Sequence, residues 1–175
     1  MNEEPVDGHA VAAARTDALA SARPERGQSL VEFSLVLIPL LLIMLGIIQF
    51  GLIFNAQVTI TNAAREGARA ATVYRFDQGH TKAWNDAARN DAAATAVVAS
   101  LGILSKVAPQ FASGDVTVAY SVPASVQDSD GRAGEQIKVS VTYHQDLVVP
   151  LIANLLPRDS NGRLAQGATV TMVIN

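Results

Sequence analysis

Residues 33–54 read FSLVLIPLLLIMLGIIQFGLIF, and this run decides the architecture. Its 22 residues carry no formal charge, and Gln49 is the most polar side chain among them. As a helix it spans roughly 30 Å, the thickness of a bilayer core. Two other readings compete. A cleaved secretory signal has a shorter apolar region and small residues before the cut, but this run ends in Phe54-Asn55-Ala56, with Phe at the −3 position. A buried helix of a soluble domain would need the rest of a 175-residue chain to cover it. The sequence therefore favours a membrane-crossing helix. Pro39 lies in its first turns, where it removes one backbone hydrogen bond and predicts a kink. Membrane helices tolerate such a proline.

The flanks give the orientation. Arg15, Arg23 and Arg26 precede the run, whereas Arg65, Arg69 and Arg75 follow it from further away. Basic residues close to a span favour the cytoplasmic side, and acidic ones count little. The expected topology has the N-terminus in the cytoplasm and the C-terminal part outside. Glu32, at the mouth of the run, has two readings. It can snorkel to the interface as an acid favoured by the helix N-terminus, or it can have a specific partner, because an isolated carboxylate beside hydrocarbon is costly.

Beyond the run, NAQVTITNAAREGARAATVYR at 55–75 continues the helix without a proline. Ala56, Ile60, Ala63, Ala64, Gly67, Ala71 and Tyr74 recur at three- and four-residue steps and form one small apolar stripe. Ala63, Gly67 and Ala71 make a small-xxx-small ladder that admits another backbone. That neighbour is the chain's own sheet for the far half of the stripe, and another subunit for the membrane half. A single helix from Ser29 to Tyr74 would be about 69 Å long. Arg65, Glu66 and Arg69 read as a solvated face with local ion pairing rather than as a lipid headgroup site.

The string RGQSLVEF at 26–33 resembles the cleavage site of type IV prepilins: a basic leader, Gly27, then Glu32 at the fifth following position, then an apolar helix. With GIIQFG at 46–51 and NAAREGAR at 62–69, the match extends over about residues 26–72 and is similar to the TadE/TadG family of the tight-adherence (Tad) pilus system. The resemblance implies a cut after Gly27 by a prepilin peptidase and a mature chain starting at Gln28. It implies a Glu32 that neutralises the new ammonium of its own or a neighbouring subunit, one helical turn away. Such a pair sets register more than it adds stability. Gln49 stands where that family often carries an acidic residue. Implied partners are the peptidase, other Tad pilins or pseudopilins, an inner-membrane assembly platform and its ATPase, with membrane lipid around the helix. The expected segments are a cytoplasmic leader at 1–27, a transmembrane and juxtamembrane helix at 28–75, and an extracytoplasmic domain at 76–175.

That outer domain reads as α+β. Thr81 to Leu104 has an alanine-rich helical pattern with Thr81 as N-cap, and Trp84, Ala87, Ala88, Ala92, Val97 and Val98 as its inward face. Alternation then predicts strands through Val116–Val122, Ile137–Tyr143 and Val170–Ile174, with a turn at Asp128-Ser-Asp-Gly131. Leu147–Leu156, bounded by Pro150 and Pro157, reads as a loop with a short helix covering the sheet. The fold class is therefore a long N-terminal helix, a second helix and a small antiparallel sheet, similar to a pilin.

Chemistry is not indicated. The chain has no cysteine, which excludes thiol catalysis and disulfides. His9, His80 and His144 lack metal-ligand spacing. Asp128-x-Asp130-Gly131 with Glu135 falls short of a full calcium loop and reads as a hairpin turn. Ser140 and His144 share a strand face without contact. A net charge of −3 without a Lys/Arg block gives no nucleic-acid partner. The expectation is a non-enzymatic protein with no cofactor and no metal. Its main reading is a minor pilin or pseudopilin. The alternative is an uncleaved, signal-anchored surface protein whose outer domain binds a ligand.

Overall fold

The computed structural model describes residues 25–107, 113–127 and 129–175. The expected leader up to residue 24, with His9, and Asp128 of the expected turn lie outside these residues. Helix α1 spans Glu25–Thr72 as one element that includes Pro39. Helix α2 spans Lys82–Leu101, α3 Leu104–Val107 and α4 Pro150–Ala153, and the strands are β1 (Val116–Ser121), β2 (Gln136–Gln145) and β3 (Leu164–Val173). The sheet is antiparallel in the order β1-β2-β3. The fold is thus α+β, a long apolar N-terminal helix with further helices and a small sheet.

The chain divides into two compact units, one ending at Leu45 and one running from Gly46 to Asn175. In the first, the apolar side chains from Leu30 to Leu45, half-buried Leu37 apart, stand exposed around the helix. By length and composition, α1 is the one helix among the described residues able to cross a membrane.

In the second unit the sheet presents Ile137, Val139, Val141, Tyr143 and Ala168 to a core shared with Ala56, Ile60, Ala63, Ala64, Ala68 and Ala71 of α1 and Ala93, Val97 and Leu101 of α2. The register places Val139 between Val118 and Val170, so the three strands present one apolar row. Small side chains on α1 allow close approach, and the β-branched residues of β2 fill the space they leave. Gly67 sits at the tightest point. A Cβ there would lie 2.5 Å from Val97 Cγ2 and 3.1 Å from the carbonyl oxygen of Ala93.

Three expectations are corrected. The inward face of α2 is Asn85, Arg89, Ala93, Val97 and Leu101; of the expected face Val97 is buried, while Trp84, Ala87 and Val98 are exposed and Trp84 stacks on His80. Two polar residues open this i, i+4 stripe, so an apolar pattern misses it. Helix α2 also stops at Leu101 rather than Leu104, because Gly102 takes φ 55° and turns the chain. Strand β3 starts at Leu164 rather than Val170: Gln166 and Ala168 continue the inward row, and neither reads as apolar alternation. The expected N-cap is present, with Thr81 Oγ1 accepting from the Trp84 amide at 3.3 Å.

Candidate functional site

The entry to α1 is built from its first turns. Gly27 is exposed, and a Cβ there would meet nothing within 4 Å. The Gly27–Gln28 bond therefore lies in an open helical turn, weakened by glycine's low helix propensity. The Gln28 side-chain amide donates to Glu32 Oε1 at 3.0 Å, so the carboxylate already leans one turn back toward residue 28. Both side chains are exposed. Pro39 lacks the amide that would have bonded the carbonyl four residues earlier.

Further along, Gln49 is fully buried, and its Oε1 accepts from the amides of Val148 (2.8 Å) and Val149 (3.3 Å). The loop between β2 and β3 is thereby fastened to the apolar helix. Ile152 Cδ1 lies 3.5 Å from where a Cβ on Gly46 would be. Sequence reasoning noted Gln49 as a polar residue in an apolar run and missed its task, since a partner nearly a hundred residues away leaves no local signal. The ladder residues Ala63, Gly67 and Ala71 are all buried in the core of their own chain. On the exposed side of the helix, Glu66 accepts from Arg69 at 2.6 Å.

The second unit also carries a charge cluster that the sequence did not announce. Arg132 Nε and Nη2 donate to Asp86 Oδ1 and Oδ2 at 2.7 and 2.8 Å, and Nη1 donates to Glu135 Oε2 at 2.7 Å. Its guanidinium lies 4.0 Å from the centre of the Tyr120 ring. Arg132 holds a left-handed φ of 59°, a conformation an arginine keeps only when its surroundings fix it. These hydrogen bonds pull the Asp86 carboxyl below the usual 3.8 and raise the guanidinium further above its ordinary value. Arg89 is buried beside them, donating to the Gly131 carbonyl at 3.3 Å. Glu135, weighed as a calcium ligand, is thus engaged by an arginine. Among the described residues, no group of three or more His, Asp or Glu could hold a metal ion.

The two described histidines each meet one carboxylate. His80 Nδ1 is 2.9 Å from Asp77 Oδ2, and His144 Nδ1 is 2.8 Å from Asp159 Oδ2. Amides of Arg163 and Asn161 bond Asp159 Oδ1 and hold its carboxyl below 3.8. Ser140 bonds Thr169 across the strands at 3.0 Å and does not engage His144.

These elements define a class: a chain with one membrane-length apolar helix whose far half builds the core of a small α+β domain. Residues 27–69 match the family model of TadE-like proteins, so the likeness is confined to that stretch. The match begins at Gly27 and ends at Arg69, covering the entry turn, the apolar run and the small-residue ladder. No curated protein and no solved structure matches the chain.

Proposed function

We propose that the protein is a minor pilin or pseudopilin of a bacterial Tad pilus system. A prepilin peptidase cuts after Gly27, and the chain stays in the inner membrane as a single span, N-terminus in the cytoplasm, until it primes or joins assembly. Its role is structural rather than enzymatic, and its partners are other Tad pilins or pseudopilins and the assembly platform. The carrying observation is the TadE-like match that opens at Gly27, with Glu32 one turn inside a membrane-length helix. Once Gln28 is the first residue, its ammonium takes over the neighbourhood of Glu32 that its side-chain amide now occupies. The positive end of the helix dipole also favours the Glu32 carboxylate at this position.

The test is the N-terminal residue of the protein recovered from membranes of a strain with the Tad machinery. Gln28 is expected, and Gly27→Leu should leave the longer precursor and abolish pilus formation. Recovery of Met1 from the wild-type chain would instead favour the uncleaved, signal-anchored reading, as would unchanged mass and piliation in the variant.

A further inference from the structure

The apolar run has more length than the first unit uses. From Phe33 to Leu45, the last residue of that unit, the helix rises only about 20 Å, short of the roughly 30 Å of a bilayer core. Counted from Phe33, about 10 Å of the core is left to the same helix from Gly46 onward. That is the level at which Ile152 rests on Gly46 and Gln49 holds the amides of Val148 and Val149. An irregular loop at hydrocarbon depth must have its amides satisfied by protein, because lipid offers no partner. Gln49 meets that need through its Oε1, which gives a fully buried amide side chain a task in an otherwise apolar run, while its Nε2 is buried without a hydrogen-bond partner.

Several side chains of this loop and its neighbours are apolar and uncovered, although Asp146, just before them, is also exposed. Val148 is 72% exposed, Leu155 82%, and Ile103, in the corner after α2, 76%. Ile103 and Val148 flank a cavity of about 570 Å³ whose wall is apolar at Leu52, Leu101, Leu104 and Tyr143 and polar at Asn55, Thr59, His144, Gln145 and Asp146. Leu52 belongs both to the cavity wall and to the exposed surface of the apolar run. Arg158 follows Leu155 closely and places a cation at the edge of the same loop.

We infer that this end of the domain is a lipid-binding seat. The loop carrying Val148 and Leu155, together with the Ile103 corner, inserts into the leaflet on the C-terminal side of the span, and the cavity takes an acyl chain. The inference rests on the single-span reading above. It adds a second, shallow attachment whose strength scales with the apolar area inserted.

Because the chain has no cysteine, single-cysteine variants give unique labels. Val148→Cys, Leu155→Cys and Ile103→Cys would be compared with Leu41→Cys in the run and Asp91→Cys on exposed α2. Each full-length chain would carry an environment-sensitive fluorophore in phosphatidylethanolamine–phosphatidylglycerol vesicles. Labels at 148, 155 and 103 should be quenched several-fold more by shallow spin-labelled lipid than the label at 91, and should resist aqueous iodide. Iodide access at 148 and 155 as strong as at 91, with 41 still lipid-quenched, overturns the seat and leaves the span standing. Iodide access at 41 as well overturns the span and the seat together. Labels at 148 and 155 shielded from both quenchers and crosslinking to a second copy would make the face a subunit contact and also overturn the proposal.

Discussion

Gly67 of α1 and Val97 of α2 meet so closely that a Cβ on residue 67 would lie 2.5 Å from Val97 Cγ2. The carbonyl oxygen of Ala93 closes the other side at 3.1 Å. One neighbour is a side chain and the other is backbone, so neither can swing away freely. Gly67→Ala should therefore destabilise the domain by about 1–3 kcal/mol through overpacking, despite alanine's better helix propensity. Val97→Ala in the same chain should return part of that loss. Urea unfolding of the two single variants and the double variant, in detergent, gives the coupling energy. Simple additivity would contradict the contact.

Arg132 is the hub of the charge cluster, and its removal leaves Glu135 buried without its cation. Arg132→Met should cost on the order of 3–5 kcal/mol, the usual penalty for breaking a buried pair from one side. Adding Glu135→Gln should recover much of it, because a neutral amide replaces the stranded carboxylate. If the double variant is no more stable than Arg132→Met alone, the pair is not what holds this corner.

The same cluster fixes the sign of an acid effect. Folding depresses the Asp86 carboxyl through its hydrogen bonds to Arg132. A depressed carboxylate contributes stability that is fully present above its unfolded value of about 3.8–3.9 and lost as pH falls through the lower folded value. Asp159 works in the same direction through backbone amides. Stability should thus fall steeply below about pH 4, and Asp86→Asn should flatten that fall while lowering stability at neutral pH. Unfolding midpoints measured from pH 2 to 7, a range that brackets these carboxylates, read both effects.

Gln49 predicts a local signature. Gln49→Leu leaves the Val148 and Val149 amides without their acceptor, a loss of about 1–3 kcal/mol if they stay buried. Hydrogen exchange at those two amides should accelerate strongly, while the amides of β2 around Val139 keep their protection. Equal acceleration throughout the sheet would mean that Gln49 supports the whole fold rather than the loop.

The legible parts of the molecule were those with a local cause. Uninterrupted apolar length marked α1, and strict alternation from Ile137 to Tyr143 marked β2. The Thr81 cap marked the start of α2, and the motif around Gly27 and Glu32 marked the family segment. What stayed hidden depends on distant partners. Asn85 looks like a surface residue of an alanine-rich helix. Yet it is buried, accepting from the Asp77 amide at 2.8 Å and donating to the Asp77 carbonyl at 3.0 Å, which sets the bend between α1 and α2. Gln166 breaks the apolar alternation of β3, yet it faces inward and donates to Gln145 across the strands. Arg132 gave no sign of its left-handed backbone, because nothing nearby in sequence requires it. Polar residues inside a core are specified by their partners, and partners are a property of the fold.

The core shared by α1 and the sheet has a practical corollary. Ala56, Ile60, Ala63, Ala64, Ala68 and Ala71 supply one wall of the domain and also continue the helix that carries the apolar run. A soluble fragment beginning at Phe76, where the sequence invites a cut, would lose that wall and expose Val139 and Val141 to water. The shortest fragment that retains every buried residue of α1's second half starts ahead of Gln49. It would carry its apolar surface into solution with it, so the domain is best purified with its helix in detergent.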